Sequence, residues 1–284
     1  MKRLGLGVFA FLLMTVSAWA KPMVAVSIPP EKFLIDEIGG GTWQCLVVVD
    51  KAQDPHVFEP TPRQLVELRK CEMYFRIGLP FETVLVDKLL KTNPTLHVVR
   101  LSESEEHVHE AVGAGETHHD DPHSWMSPDE LVEQSKVVAT ELAKLDPENA
   151  KAYSQRQEAF GERVSGLKKD LKTKLEKASV KIVAVYHPAW GHFAEAFGLE
   201  QVAIEAHGQT PGARHLSEVA DKLKAGGVKV MLVQNETERR RIGAFAENQG
   251  LRLDLVSPLA ENVLDTIGKT VDALCADSIA TPKP

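Results

Sequence analysis

The clearest structural signal in the sequence is the segment PENAKAYSQRQEAFGERVSGLKKDLKTKLEKA at 147–178. It is dense in Glu, Lys, Arg and Gln, and after Pro147 it contains no proline and only two glycines, Gly161 and Gly166. This composition predicts a helix of roughly thirty residues, about 45 Å long. A helix of that length need not fit inside one lobe, so we expect a rigid connector that runs along two. A kink at either glycine, which would give two ordinary helices, is the alternative.

Short β-branched runs alternate with helical stretches on both sides of this segment. Such alternation is typical of βαβ units and a parallel sheet. It occurs twice, with four strands each time, which predicts an α/β fold of two similar lobes, each a roughly four-stranded parallel sheet with flanking helices. The predicted strands are 23–27, 45–49, 73–77 and 97–101, then 181–186, 201–204, 229–233 and 252–256. The predicted helices include 62–70, 80–91, 128–145, 213–225 and 239–249. The predicted domains are an N-terminal lobe at 21–146, the connecting helix at 147–178 and a C-terminal lobe at 179–284.

The composition excludes several classes of protein. Hydrophobic residues make up 43% of the 284 residues and charged residues 26%, which is globular rather than disordered. The formal net charge of −7 argues against a nucleic-acid partner, which requires a basic surface. Three cysteines cannot form a disulfide scaffold. Cys45, Cys71 and Cys275 allow at most one internal pair, and the sequence leaves open whether one forms.

Residues 1–20 have the form of an export signal. Lys2 and Arg3 precede an apolar run, and AWA at 18–20 is a small-x-small cleavage site. We therefore expect cleavage after Ala20 and a periplasmic mature protein. The apolar run is too short for a stable transmembrane span, and no later segment reaches the length needed, so we expect no direct membrane span.

Three histidines stand at comparable places, each just after a predicted strand. His56 follows the second strand, His123 follows the fourth strand and a biased loop, and His187 follows the first strand of the second lobe. Open α/β sheets bind ligands at the carboxyl ends of their strands, and imidazole is a good ligand for zinc. We expect a metal site in the interlobe cleft, with Asp54 or Asp121 orienting a ring. For each histidine alone, a solvated or helix-capping role is the alternative.

The segment SESEEHVHEAVGAGETHHDDP at 102–122 is acidic and rich in histidine, which predicts a mobile loop. Weak, transient metal capture by this loop and a merely solvated acidic loop are both open interpretations. Its histidines are His107, His109, His118 and His119. Of the remaining histidines, His97 is expected to pack within a strand, and His192, His207 and His215 are expected at the surface.

Enzyme templates fit the sequence poorly. It contains no His-Glu-x-x-His, no Gly-x-Ser-x-Gly, no phosphate-binding Gly-x-x-x-x-Gly-Lys and no Cys-x-x-Cys. We therefore expect a protein that is not an enzyme. An exported metalloenzyme is the less favoured alternative, because three histidines around an open position are also the plan of catalytic zinc.

Four stretches, taken in order, resemble the periplasmic zinc and manganese solute-binding proteins of bacterial ABC transporters, in their zinc-type form. They are DPHVFEPTP at 54–62, IGLPFE at 77–82, DPHSWMSP at 121–128 and YHPAWG at 186–191, and SPLA at 257–260 corresponds to the family's Asp-Pro-Leu element. The resemblance covers nearly the whole mature chain. It implies two α/β lobes joined by one long helix, with the metal between the lobes.

The resemblance also implies the function. His56, His123 and His187 match the three histidine ligands of the family. We expect a protein that captures Zn²⁺, acts as a monomer and delivers the ion to an ABC-transporter permease for import. A manganese or iron receptor on the same scaffold is the alternative.

The fourth ligand is the point at which this chain departs from the family. Ser257 stands where many members have a ligating aspartate, and Pro55 stands where some zinc-type members have a glutamate. Water is the first choice for the open position, with Glu205 or a loop histidine such as His119 as alternatives. Without a carboxylate the site favours zinc over manganese, which prefers oxygen-rich octahedral sites.

Overall fold

Two parallel sheets organise the molecule. The computed structural model describes residues 21–51, 53–102, 121–205 and 211–279. Within those ranges the first sheet has the order β2-β1-β3-β4 and the second has the order β6-β5-β7-β8. Their strands are β1 (Met23–Val26), β2 (Gln44–Val47), β3 (Met73–Arg76) and β4 (His97–Arg100), then β5 (Ile182–Val185), β6 (Glu200–Ala203), β7 (Val230–Val233) and β8 (Arg252–Leu255). The predicted α/β class with two similar four-stranded lobes is confirmed.

Helices flank both sheets. They are α1 (Pro29–Gly39), α2 (Pro62–Leu68), α3 (Pro80–Thr92), α4 (Pro128–Leu145), α5 (Ala150–Lys177), α6 (Gly191–Phe197), α7 (Ala213–Ala225), α8 (Glu236–Gln249) and α9 (Val263–Ile279). Proline occupies the first turn of α1 to α4, where its missing N–H costs no helical hydrogen bond. At the start of α4 the Ser127 Oγ accepts from the Glu130 N–H at 3.4 Å, which caps the helix.

The long connecting helix is α5. It follows one 3-10 turn (Pro147–Asn149) and runs for 28 residues, about 42 Å, without a break at Gly161 or Gly166. The kink alternative is therefore wrong. Helix α5 packs against α1 beside the first sheet and against α9 beside the second, so it runs along both lobes.

One apolar core continues from the first lobe into the second. It includes Phe75 of the first sheet, Phe160 of α5 and Trp190 beside the second sheet. The buried Trp125 Nε1 adds a hydrogen bond to the Pro258 carbonyl at 2.8 Å, across the lobes. The lobes are thus held together by shared packing as well as by the connecting helix.

The second lobe also has a smaller core of its own. Val183 and Val185 face the shared core, whereas Ala184 and Tyr186 face the second one under α7 and α8. This alternation follows from the two-residue period of a strand. It places the end of β5 between two packed layers.

Two further expectations bear on the fold. Cys45, Cys71 and Cys275 are all free thiols in the structure. Among the described helices, none combines the length and the apolar character needed to cross a bilayer.

Candidate metal centre

The strand ends bring three imidazole rings to one point between the lobes. His56 lies in the loop between β2 and α2, His123 lies directly before the 3-10 turn Ser124–Met126, and His187 follows β5 by two residues. The ring centroids are 5.3 Å apart for His56 and His123, 5.1 Å for His56 and His187, and 5.2 Å for His123 and His187. Within the described ranges these three residues form a group whose ligand atoms all lie within 4.8 Å of one another.

Two of the rings each have their own carboxylate within hydrogen-bond distance of Nδ1. Asp121 Oδ1 lies 2.6 Å from His123 Nδ1, and Glu205 Oε2 lies 2.6 Å from His187 Nδ1. Each carboxylate favours a proton on Nδ1 and so leaves the Nε2 lone pair free to bind a metal. The two Nε2 atoms lie 3.4 Å apart and point into the same space.

His56 completes the triangle in a different way. Its backbone N–H donates to Asp54 Oδ1 at 2.9 Å, which fixes the turn that carries the ring. Its Nε2 is buried and has no hydrogen-bond partner among the residues that the structure describes. A buried polar atom without a partner is costly, and a cation at the centre of the triangle would satisfy it.

The electrostatics of the site suit a dication. Burial lowers the pKa of His56 and His123 below the ordinary value of 6.5, and it does the same for His187. Burial alone would raise the pKa of Asp121, but the hydrogen bonds and charge interactions with His123, together with His192, outweigh burial and lower that pKa. The rings are therefore neutral and the carboxylate is charged at neutral pH, which is the form that binds Zn²⁺.

The triangle opens into a cleft of about 590 Å³ that both lobes line. Tyr186, Glu238 and Arg241 also line the cleft. The sequence did not predict them to be site residues. Arg241 Nη1 donates to the Tyr186 hydroxyl at 3.1 Å, and Glu238 Oε2 accepts from the Gln234 N–H at 2.7 Å. Burial raises the pKa of Glu238 to about 7, and the Glu205 carboxylate adds to the shift.

A helix boundary explains why Glu238 was missed. The sequence places the start of this helix at residue 239, whereas α8 begins at Glu236. Its first turn therefore follows the carboxyl end of β7, as the histidine-bearing segments follow the ends of other strands. Asn235 before the helix is the signal that could have found it, since its Oδ1 accepts from the N–H groups of Thr237 and Glu238, as an N-cap does.

The other candidate ligands have different placements. Glu205 contacts His187 Nδ1 and is not part of the three-nitrogen group. Ser257 lines the cleft, where its Oγ accepts from the Leu259 N–H at 3.3 Å. The loop histidines fall outside the described residues, as does His207; they are His107, His109, His118 and His119.

The remaining described histidines lie outside the three-nitrogen group. His192 and His215, expected at the surface rather than as ligands, are both half-buried. His192 Nε2 lies 3.0 Å from the Asp121 carbonyl oxygen. His97, expected to pack within its strand, is exposed on β4 and lies 2.8 Å from Glu141 Oε2. Strand β4 is an edge strand, so one of its sides has no neighbouring strand to cover it.

A comparison with known protein families shows the family of this chain. The family model for the periplasmic zinc-uptake complex component A, ZnuA, matches residues 24–274. The chain belongs to the ZnuA family. ZnuA-family proteins are zinc-binding solute-binding proteins of ABC transporters, and the family is one of metal carriers rather than enzymes.

Relatives of this chain include proteins named for zinc uptake and for iron transport. The high-affinity zinc uptake system protein ZnuA of Bacillus subtilis is 25% identical over 75% of this chain and 70% of its own length. The iron ABC transporter substrate-binding lipoprotein MtsA of Streptococcus pyogenes is 24% identical over 72% of this chain and 69% of its own. A crystal structure of ZnuA superposes with a TM-score of 0.81 at 30% identity, covering 90% of this chain and 99% of that one.

Proposed function

We propose that this protein captures Zn²⁺ with His56, His123 and His187 and delivers it to the permease of an ABC importer. The observation that supports this most strongly is the triangle of three imidazoles, with His123 buried and His56 and His187 half-buried. Two of the three rings, those of His123 and His187, have a carboxylate at Nδ1. Nitrogen donors at this spacing suit the tetrahedral preference of zinc, with water in the fourth position. The cleft gives the ion an entry and an exit.

The donor set favours zinc over manganese and iron. The group of ligand atoms in the described ranges contains three nitrogens and no carboxylate oxygen, whereas manganese prefers oxygen-rich sites. The iron-binding relative is the reason to keep manganese and iron as the second candidate. Under that alternative a carboxylate such as Glu205 would turn from His187 to the metal.

The proposal includes where the protein works and how it is divided. Residues 1–20 direct export and are removed after Ala20, and the mature chain acts in the periplasm as a monomer. Its units are the lobe at 21–146, the helix at 147–178 and the lobe at 179–284. The histidines of the 102–122 loop add weaker, secondary zinc capture.

Metal titration tests this function. Mature protein, residues 21–284, would be stripped with EDTA and titrated with Zn²⁺ and Mn²⁺ by native mass spectrometry and calorimetry. We expect one tight zinc, weaker zinc uptake that disappears on deleting residues 103–119, and negligible manganese binding. His123→Ala should abolish the tight site, whereas His97→Ala, a matched change at an exposed histidine, should preserve it.

Three results would contradict the proposal. Manganese binding as tight as zinc would show that a carboxylate completes the site. The absence of any tight metal would mean that the fold has lost its site. Hydrolysis of a generic ester by zinc-loaded but not by stripped protein would favour a metalloenzyme.

A further inference from the structure

We propose that Gly191 is a positioning residue for zinc capture, which acts by leaving room for the Asp121 carboxylate behind His123. Gly191 belongs to the second lobe, whereas Asp121 and His123 lie before α4, on the side of the first lobe. The inference rests on the proposed zinc function and extends it. It assigns part of the control over a first-lobe ligand to a residue of the second lobe.

The contact is a close approach that only glycine permits. A Cβ atom built on Gly191 would lie well under 3.0 Å from Asp121 Oδ2, closer than real Cβ atoms come to other atoms. Gly191 is not among the glycines with positive φ, so its backbone conformation is open to any residue. The reason for glycine here is therefore space, and the space is filled by the carboxylate that orients His123.

Asp121 has little freedom to move away. Its Oδ1 accepts from both the backbone N–H of His123 at 3.0 Å and the ring Nδ1 at 2.6 Å. Its carbonyl oxygen lies 3.0 Å from His192 Nε2, which follows Gly191 in the chain. A shift of Oδ2 away from a new methyl group must therefore disturb the bond that holds the His123 ring.

Gly191 cannot retreat either. The preceding Trp190 is fully buried; its backbone N–H donates to Gln201 Oε1 at 2.7 Å, and its Nε1 donates to Thr270 Oγ1 at 3.2 Å. These contacts fix the start of α6 against the second sheet and α9. Because the backbone at Gly191 is fixed, a Cβ atom at this position would displace the Asp121 side chain.

The test is Gly191→Ala, with Gly243→Ala as the matched control. Gly243 is a helical glycine of the same lobe, and a Cβ there would meet nothing within 4 Å. We expect Gly191→Ala to weaken zinc binding about 10- to 100-fold in a competition titration, the usual range for disturbing an outer-shell partner of a ligand. Gly243→Ala should bind zinc as wild type does.

A double-mutant cycle separates positioning from general damage. If Gly191 acts through Asp121, adding Gly191→Ala to Asp121→Ala should change zinc affinity by no more than about twofold. The double variant should also regain any stability lost in Gly191→Ala, because the clashing carboxylate is gone. An equal loss of affinity in both backgrounds would overturn the proposal, and so would wild-type affinity in Gly191→Ala.

Nitrogen NMR of the metal-free protein gives a readout that does not depend on zinc. In wild type we expect the neutral His123 ring to carry its proton on Nδ1, and in Gly191→Ala we expect a mixture of tautomers. An unchanged tautomer in Gly191→Ala would overturn the positioning role. If wild type bound no zinc, the proposed function would fail, but this measurement would still decide the role of Gly191.

Discussion

At the scale of single residues, the presentation of the imidazoles depends on the carboxylates behind them. Glu205 and Asp121 each hold an Nδ1 atom, and His56 has no such partner on its ring in the contacts of the described residues. An imidazole held in this way has one tautomer and one orientation before the metal arrives. Less ordering is then needed on binding, which favours affinity.

Glu205→Gln should weaken zinc binding about tenfold, because the amide keeps the shape of the side chain but loses the charge that orients His187. Competition titration against a zinc indicator measures the change. Glu218→Gln, at an exposed glutamate of the same lobe, is the matched control and should have no effect. Equal zinc affinity in wild type and Glu205→Gln would show that the contact does not help the site.

The buried Glu31 carboxylate affects the stability of the protein rather than its zinc affinity. Glu31 is fully buried near Glu82, and its Oε2 accepts from the Ile28 N–H at 2.9 Å. Burial, and then the Glu82 carboxylate, raise the pKa of Glu31 well above the ordinary value of 4.5. The folded protein keeps this proton at pH values where the unfolded chain has released it, so this group makes the protein less stable as pH rises above 4.5.

Glu31→Gln removes that titration, so its stability relative to wild type should increase as the pH rises above the ordinary glutamate pKa of 4.5. Urea unfolding of the metal-free proteins at several pH values measures the difference. Glu72→Gln, at an exposed position, should leave the pH dependence unchanged. A difference between Glu31→Gln and wild type that stays constant with pH would contradict this account.

At the scale of elements, helix α5 shows how much a composition can predict. Its length and continuity follow from a run of helix-forming residues without internal proline, and tertiary packing tolerates its two glycines. Gly166 is exposed, and a Cβ there would meet nothing within 4 Å. Its only effect on the helix is therefore the backbone freedom of glycine in the unfolded chain.

Gly166→Ala should raise the free energy of unfolding by about 0.5–1 kcal/mol without changing zinc affinity. Gly40 differs from Gly166, because it follows α1 with a φ of 60°, in the left-handed region that favours glycine. Gly40→Ala should therefore destabilise the protein. Urea unfolding measures both, and destabilisation by Gly166→Ala would mean that α5 is strained or bent at that position.

Elements also show where sequence reasoning stops. The strands and the three histidines follow from hydrophobic periodicity and from their position after strands, which are local signals. Glu238 and the contact of His192 with Asp121 depend on how α8 and α6 pack, and no local pattern encodes that. The space beside Gly191 could not be predicted from a local pattern either, since only the folded structure shows that Asp121 Oδ2 occupies it.

At the scale of the whole molecule, the shared core restricts how the lobes can move. Trp125 and Trp190 are buried in the shared core, and α5 packs on both lobes. Closely packed interfaces change by small tilts more readily than by wide hinge opening. We therefore expect zinc release to require only a small change at the cleft.

Small-angle X-ray scattering of zinc-loaded and metal-free protein should give the same radius of gyration within experimental error. Comparing both states with residues 103–119 deleted removes any contribution from the loop. A clear compaction on zinc binding in the deleted protein would contradict the picture of two firmly joined lobes. It would instead indicate a hinge that the shared core does not prevent.

We propose that histidines from both lobes bind one zinc ion together. X-ray absorption at the zinc edge of protein loaded with one equivalent would show the ligands of that ion. We expect three imidazole nitrogens at about 2.0–2.1 Å and one further light-atom ligand, with an imidazole lost in His56→Ala and in His187→Ala. A sulfur ligand at about 2.3 Å, or a spectrum that neither substitution changes, would contradict it.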